Sequence, residues 1–149
     1  MKTISSNPTA VFLLCLLIFS CSSNPRKSDL GNEIVGLYAS ASENEYDNFK
    51  DTLEIKANDE GRYDLTFVAR WSAAKADDPQ RPTNKVAGQW NNHGKGETLV
   101  ADLQASDTTL RISDPFGGAS VIIIPLNLEK GTLDWTLTNG TKRTYSKVE

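Results

Sequence analysis

"TLEIKANDEGRYDLTFVARW", residues 52–71, alternates apolar and polar side chains on both sides of a turn cluster. In Thr52–Lys56, Leu53 and Ile55 fall on one face and Thr52, Glu54 and Lys56 on the other. Asn58 to Arg62 carries the acids and the glycine of a hairpin turn. Tyr63–Trp71 resumes with Tyr63, Leu65, Phe67, Ala69 and Trp71 on one side and Asp64, Thr66 and Arg70 on the other. A period of two is a strand period, so this stretch predicts two antiparallel strands with one face in a core.

The same texture extends both ways. Ile34–Tyr38, Lys85–Asn91, Thr98–Leu103, Thr109–Ser113, Val121–Leu128, Leu133–Thr138 and Lys142–Val148 are further strand candidates. Asn139-Gly140 joins the last pair, a dipeptide suited to the positive φ angles of a type I′ turn. About nine short strands at roughly ten-residue spacing predict an all-β domain. Short connections favour an antiparallel meander barrel of about eight strands, whose closure removes exposed edges; a β-sandwich is the alternative. Ser42 to Glu45 has capping-box spacing, compatible with one helical turn or an irregular loop. The inward set is expected to include Tyr63, Leu65, Phe67, Trp90, Leu99, Leu110, Ile123, Leu133, Trp135 and Tyr145.

The chain opens differently. Lys2 precedes ten apolar residues, Ala10 to Phe19. That run is too short for a bilayer, which needs roughly twenty residues of helix, and it has the layout of a secretory signal peptide. Ile18-Phe19-Ser20-Cys21 resembles the lipobox of bacterial lipoproteins. The resemblance implies cleavage between Ser20 and Cys21, thioether-linked diacylglycerol on Cys21, often with a further acyl group such as palmitate, and a place in the cell envelope, the outer membrane above all. Cys15 follows Leu14, too bulky for the residue before a cut, and should leave with residues 1–20. Residues 21–33 then read as a lipid-anchored flexible linker and 34–149 as a single barrel domain. With Cys21 acylated no disulfide is available. The net charge is −3, one unit more acidic once Lys2 is lost, which argues against nucleic acid as a partner.

Two places resemble the calycin barrels, the group that includes lipocalins. Gly36-Leu37-Tyr38 is similar to that group's first-strand Gly-x-Trp, with Tyr in place of Trp. Lys142 to Lys147 is similar to its last strand, where an arginine packs across the first-strand aromatic. The resemblance implies a barrel closed by Arg143 over Tyr38, and a protein that binds small ligands or other proteins.

Catalysis needs a proton-transfer group, a nucleophile or a metal. His93 is the one histidine and sits in a Gly-rich turn, "NNHGKGE", with no nucleophile elbow in the sequence. Asp77 and Asp78 are adjacent and diverge in an extended chain, and no calcium-loop spacing is present. No catalytic residue, metal or cofactor is therefore expected. Trp71 precedes the long connection 72–84, "SAAKADDPQRPTN", and long connections are often functional. Trp71, Arg70 and Trp90 are the candidate ligand-binding residues at a barrel mouth. Phe116, at the tip of Asp114-Pro115-Phe116-Gly117-Gly118, is the candidate partner contact. Thr52 and Thr108 lie in Asp-Thr-apolar or Asp-Thr-Thr triplets similar to bacterial O-glycan acceptors, at the frequency chance allows. Bulky inward side chains favour a filled barrel acting as an interaction module, a subunit of or inhibitor at an envelope assembly. The alternative is a lipocalin-like lipoprotein holding a small hydrophobic ligand.

Overall fold

The computed structural model describes residues 25–113, 121–137 and 140–148. Ser20, Cys21, Phe116 and Asn139 lie outside the described residues. Among the described residues one helix, α1 (Pro25–Ile34), precedes nine strands: β1 (Gly36–Glu43), β2 (Asp47–Ala57), β3 (Tyr63–Ala74), β4 (Asn91–Asn92), β5 (Thr98–Gln104), β6 (Thr109–Ser113), β7 (Val121–Asn127), β8 (Thr132–Thr136) and β9 (Lys142–Lys147). Every strand pairing is antiparallel. The order runs β1-β2-β3-β5-β6-β7-β8-β9 and returns to β1, a closed eight-stranded meander barrel with β4 outside it on the rim of β3. The expected fold class stands.

The linker expected over 21–33 does not extend through its second half, because residues 25–34 form α1. Proline opens the helix, where its missing N–H costs nothing. Leu30 and Ile34, one turn apart, both enter the core. The Tyr38 hydroxyl donates to the Ile34 carbonyl at 2.9 Å and fixes the helix across one end of the barrel. Gly31 is required there: a Cβ at this position would lie 2.3 Å from the Tyr63 hydroxyl.

Within the barrel, the half nearest α1 is apolar. Leu53, Ile55, Leu65, Ala101, Leu110, Ile124 and Leu133 are buried to 1% exposure or less. Above them Phe67 meets Trp135 edge-on at 5.2 Å and Tyr145 at 6.0 Å, an aromatic floor across the middle of the barrel. The hairpin at 44–46 is a tight turn rather than a helical one: the Asn44 side-chain oxygen accepts from the amides of Tyr46 (2.8 Å) and Asp47 (2.7 Å).

Four sequence expectations are corrected. Lys85–Asn91 is not a strand; only Asn91–Asn92 pairs with β3. Trp90 is consequently outside the core, 38% exposed. Ile123 also faces out, because Ile124 is the β7 residue that reaches the core. Arg143 does not pack on Tyr38. Tyr38 stands opposite Lys147 in the β1–β9 register, which puts Arg143 four residues, or about 13 Å, nearer the other end. The last-strand cation beside the first strand is Lys147, whose amine donates to the Glu33 carbonyl at 2.5 Å.

Candidate functional site at the barrel mouth

The end opposite α1 is built from a break in alternation. Thr52 pairs with Ala69 and Leu53 with Phe67, so Val68 is an extra residue on β3. Such a bulge shifts the parity of the strand beyond it. Arg70 and Ser72, on the solvent face by simple alternation, turn to the barrel side, while Trp71 moves to the rim with 36% exposure. Residues 93–96 run beside this segment, the amides of His93 and Gly96 donating to the carbonyls of Arg70 and Phe67, each at 2.8 Å.

The bulge places polar groups where the lower barrel holds aliphatic ones. Arg81 forms a two-pronged pair with Asp47 at 2.9 and 2.6 Å, and the Asn84 amide donates to the same carboxylate at 3.1 Å. Asn84 in turn bonds Ser72, whose hydroxyl lies 2.6 Å from His93 Nε2, and accepts from the Asn91 amide at 2.8 Å. Asn84 has a positive φ of 53°, a conformation asparagine tolerates better than most residues. The 72–84 connection is therefore pinned down at its end by Arg81 and Asn84. Arg81 holds the Asp47 carboxyl below its ordinary value, against the opposing effect of desolvation.

Beside this network, Arg143 pairs with Asp51 and stacks over Phe49 at 5.2 Å. The Tyr145 hydroxyl reaches Asp51 at 3.5 Å; burial first, and the Asp51 charge second, push its pKa up to about 12. Phe49, Asp51, Arg70, Trp71, His93 and Arg143 together line an open cleft of about 530 Å³. Ligand sites in proteins commonly span about 300–1,000 Å³.

Of the sequence candidates, Arg70 and Trp71 meet in this cleft and Trp90 does not. Trp90 takes the Lys50 ammonium over its ring at 4.5 Å and lines a neighbouring groove of about 340 Å³ with Phe49. Thr52, on β2, and Thr108, at a positive φ of 53° before β6, lie away from the cleft lining. Phe49 and Asp51 are cleft residues the sequence reading did not assign to a site, and Arg143, expected at the closed end of the barrel, lines the mouth. The Ser72–His93 contact was also unforeseen. Ser72 is 3% exposed and also bonds Asn84, so this contact ties the imidazole at the lip to the asparagine network. Among the described residues no three His, Cys, Asp or Glu side chains gather closely enough to hold a metal ion. No family model, curated protein or solved structure matches the chain.

Proposed function

We propose that this is an envelope protein, tethered through acylated Cys21, whose barrel mouth binds a small molecule. The observation that carries the reading is the cleft of about 530 Å³ between Trp71, Phe49 and Arg70, standing above an aromatic floor. A filled barrel was the ground for preferring an interaction module. That ground weakens once Trp90 and Ile123 leave the interior, because the mouth then has room and an amphipathic lining. The cleft is more polar than a site for a purely hydrophobic ligand would be, with two arginines, a carboxylate and an imidazole. Enzymatic turnover is not part of the reading.

The tether follows from the lipobox resemblance. Each acyl methylene buried in a bilayer contributes roughly 0.8 kcal/mol, and stable anchoring takes two membrane signals, which a diacylated cysteine supplies.

The test is native mass spectrometry of the protein released gently from its own envelope. A small non-covalent adduct that disappears in Trp71→Ala supports the reading; a bare chain, or an adduct indifferent to Trp71→Ala, contradicts it. Labelled fatty acid should enter the wild type and not Cys21→Ala. A second reading, the interaction module, draws on Val121 and Ile123, two apolar β7 residues exposed on its outer face. Retention of one protein partner, abolished by Ile123→Asp, would favour it.

A further inference from the structure

We propose that the ligand of the mouth carries an anionic group and that Arg70 receives it. This rests on the reading of the mouth as a small-ligand site and names the chemistry of that ligand.

The inference begins with the arginines. Arg62 pairs with Asp102 at 3.0 Å, Arg81 with Asp47 at 2.6 Å, Arg111 with Asp107 at 2.5 Å, and Arg143 with Asp51. Among the described arginine side chains Arg70 alone has no carboxylate within 4.0 Å. It is also the one whose Nε is buried without any hydrogen-bond partner. A carboxylate is close in register, since Asp51 stands directly opposite Arg70 across β2 and β3. That carboxylate is turned to Arg143 and Tyr145 instead. The Arg70–Asp51–Arg143 group thus holds two guanidinium charges against one carboxylate, and the surplus belongs to Arg70.

A desolvated guanidinium N–H without an acceptor is destabilising in the empty protein. An incoming oxyanion at the terminal Nη groups supplies the countercharge that no carboxylate gives Arg70. It also gains the forked, charge-assisted geometry that suits arginine to carboxylates, sulfonates and phosphates. The rest of the lining fits the remainder of such a molecule. Phe49 and Trp71 offer ring surface for an apolar or aromatic body, and the aromatic floor limits its depth. An organic anion with a flat apolar body satisfies both halves of the cleft.

The experiment uses the mature chain and two fluorescent probes with similar aromatic bodies: the anionic anilinonaphthalene sulfonate and the neutral phenylnaphthylamine. Wild type should bind the sulfonate about tenfold tighter than the neutral probe, the scale of one charge-assisted hydrogen bond. Arg70→Gln should erase that preference, and Arg70→Lys should restore part of it; an unchanged near-ultraviolet circular dichroism spectrum checks that the fold is intact. If both probes bind alike, and binding falls in Trp71→Ala but not in Arg70→Gln, the mouth is a ligand site and the anion inference is overturned. If binding ignores Trp71→Ala and Phe49→Ala as well, the site reading fails and takes this inference with it.

Discussion

The two halves of the barrel share most of their strands but not their chemistry. On β2, Ile55 and Leu53 lie in the lower half, and Asp51 and Asp47 lie on the same inward face above them. On β3, Tyr63 and Leu65 give way past the bulge to Arg70 and Ser72. The lower half closes over α1 and has aliphatic side chains at or near full burial. The upper half contains ion pairs, an asparagine–serine–histidine chain and an open cleft. The difference teaches where stability and specificity reside. Apolar burial contributes roughly 25 cal/mol per Å² without directional demands, whereas buried polar groups are neutral at best unless each finds a partner. A fold that needed only stability would continue the lower pattern upward.

The contrast breaks most easily at its apolar end. Leu110→Ala, at a fully buried position, should cost about 3–4 kcal/mol in urea denaturation. Phe49→Ala in the mouth should cost about half of that or less, and equal costs would erase the distinction. Next in size is Asp47→Ala, which strands the Arg81 guanidinium and the Asn84 amide and should cost about 2 kcal/mol. The same pair imposes a pH dependence. Because the folded Asp47 carboxyl titrates below its ordinary value, its stabilisation is complete above the unfolded pKa of about 4 and fades as pH falls through the lower folded value. The urea midpoint should drop on acidification below pH about 4, and Asp47→Asn should flatten that drop. Some slope must remain, since Thr144 and then Lys142 depress Asp134 as well.

Gly31→Ala sharpens the picture at the helix plug. Its methyl would meet the Tyr63 hydroxyl at 2.3 Å, with the next ring atom at 3.5 Å, and a loss of about 1–2 kcal/mol is expected. Tyr63→Phe removes the clashing oxygen, so the double variant should recover most of the loss. The smallest effect belongs to Arg70→Gln. Removing it should not lower stability and should raise it by up to about 1 kcal/mol, because no ion pair is lost and a buried N–H without an acceptor is removed.

Much of the barrel was legible because period-two alternation and hairpin turns are local signals. Leu53, Ile55, Leu65, Leu133 and Tyr145 all read correctly as interior. The mouth was less legible because a bulge at Val68 carries no glycine to betray it, and the apolar series Tyr63, Leu65, Phe67, Ala69, Trp71 runs straight across it. Arg70 and Trp71 were singled out for their place before a long connection, yet the face each presents came from tertiary register. The helix was hidden by Pro25, Gly31 and a largely polar composition; its two core residues, Leu30 and Ile34, have meaning only against the barrel end they cover. Trp90 and Ile123 were misplaced for a related reason. Aromatic and β-branched residues favour strands and burial on average, and neither preference says which face a neighbouring strand will cover.

The most direct measurement of the division between a structural lower half and a binding mouth is a two-dimensional amide NMR titration of the mature chain with anilinonaphthalene sulfonate. The expected result is a set of shifts confined to Phe49, Asp51, Arg70, Trp71, His93 and Arg143 and their immediate neighbours, with Leu30, Ile34, Leu65 and Leu110 unmoved. Shifts centred on those lower residues, or on Val121 to Ile123, would contradict it.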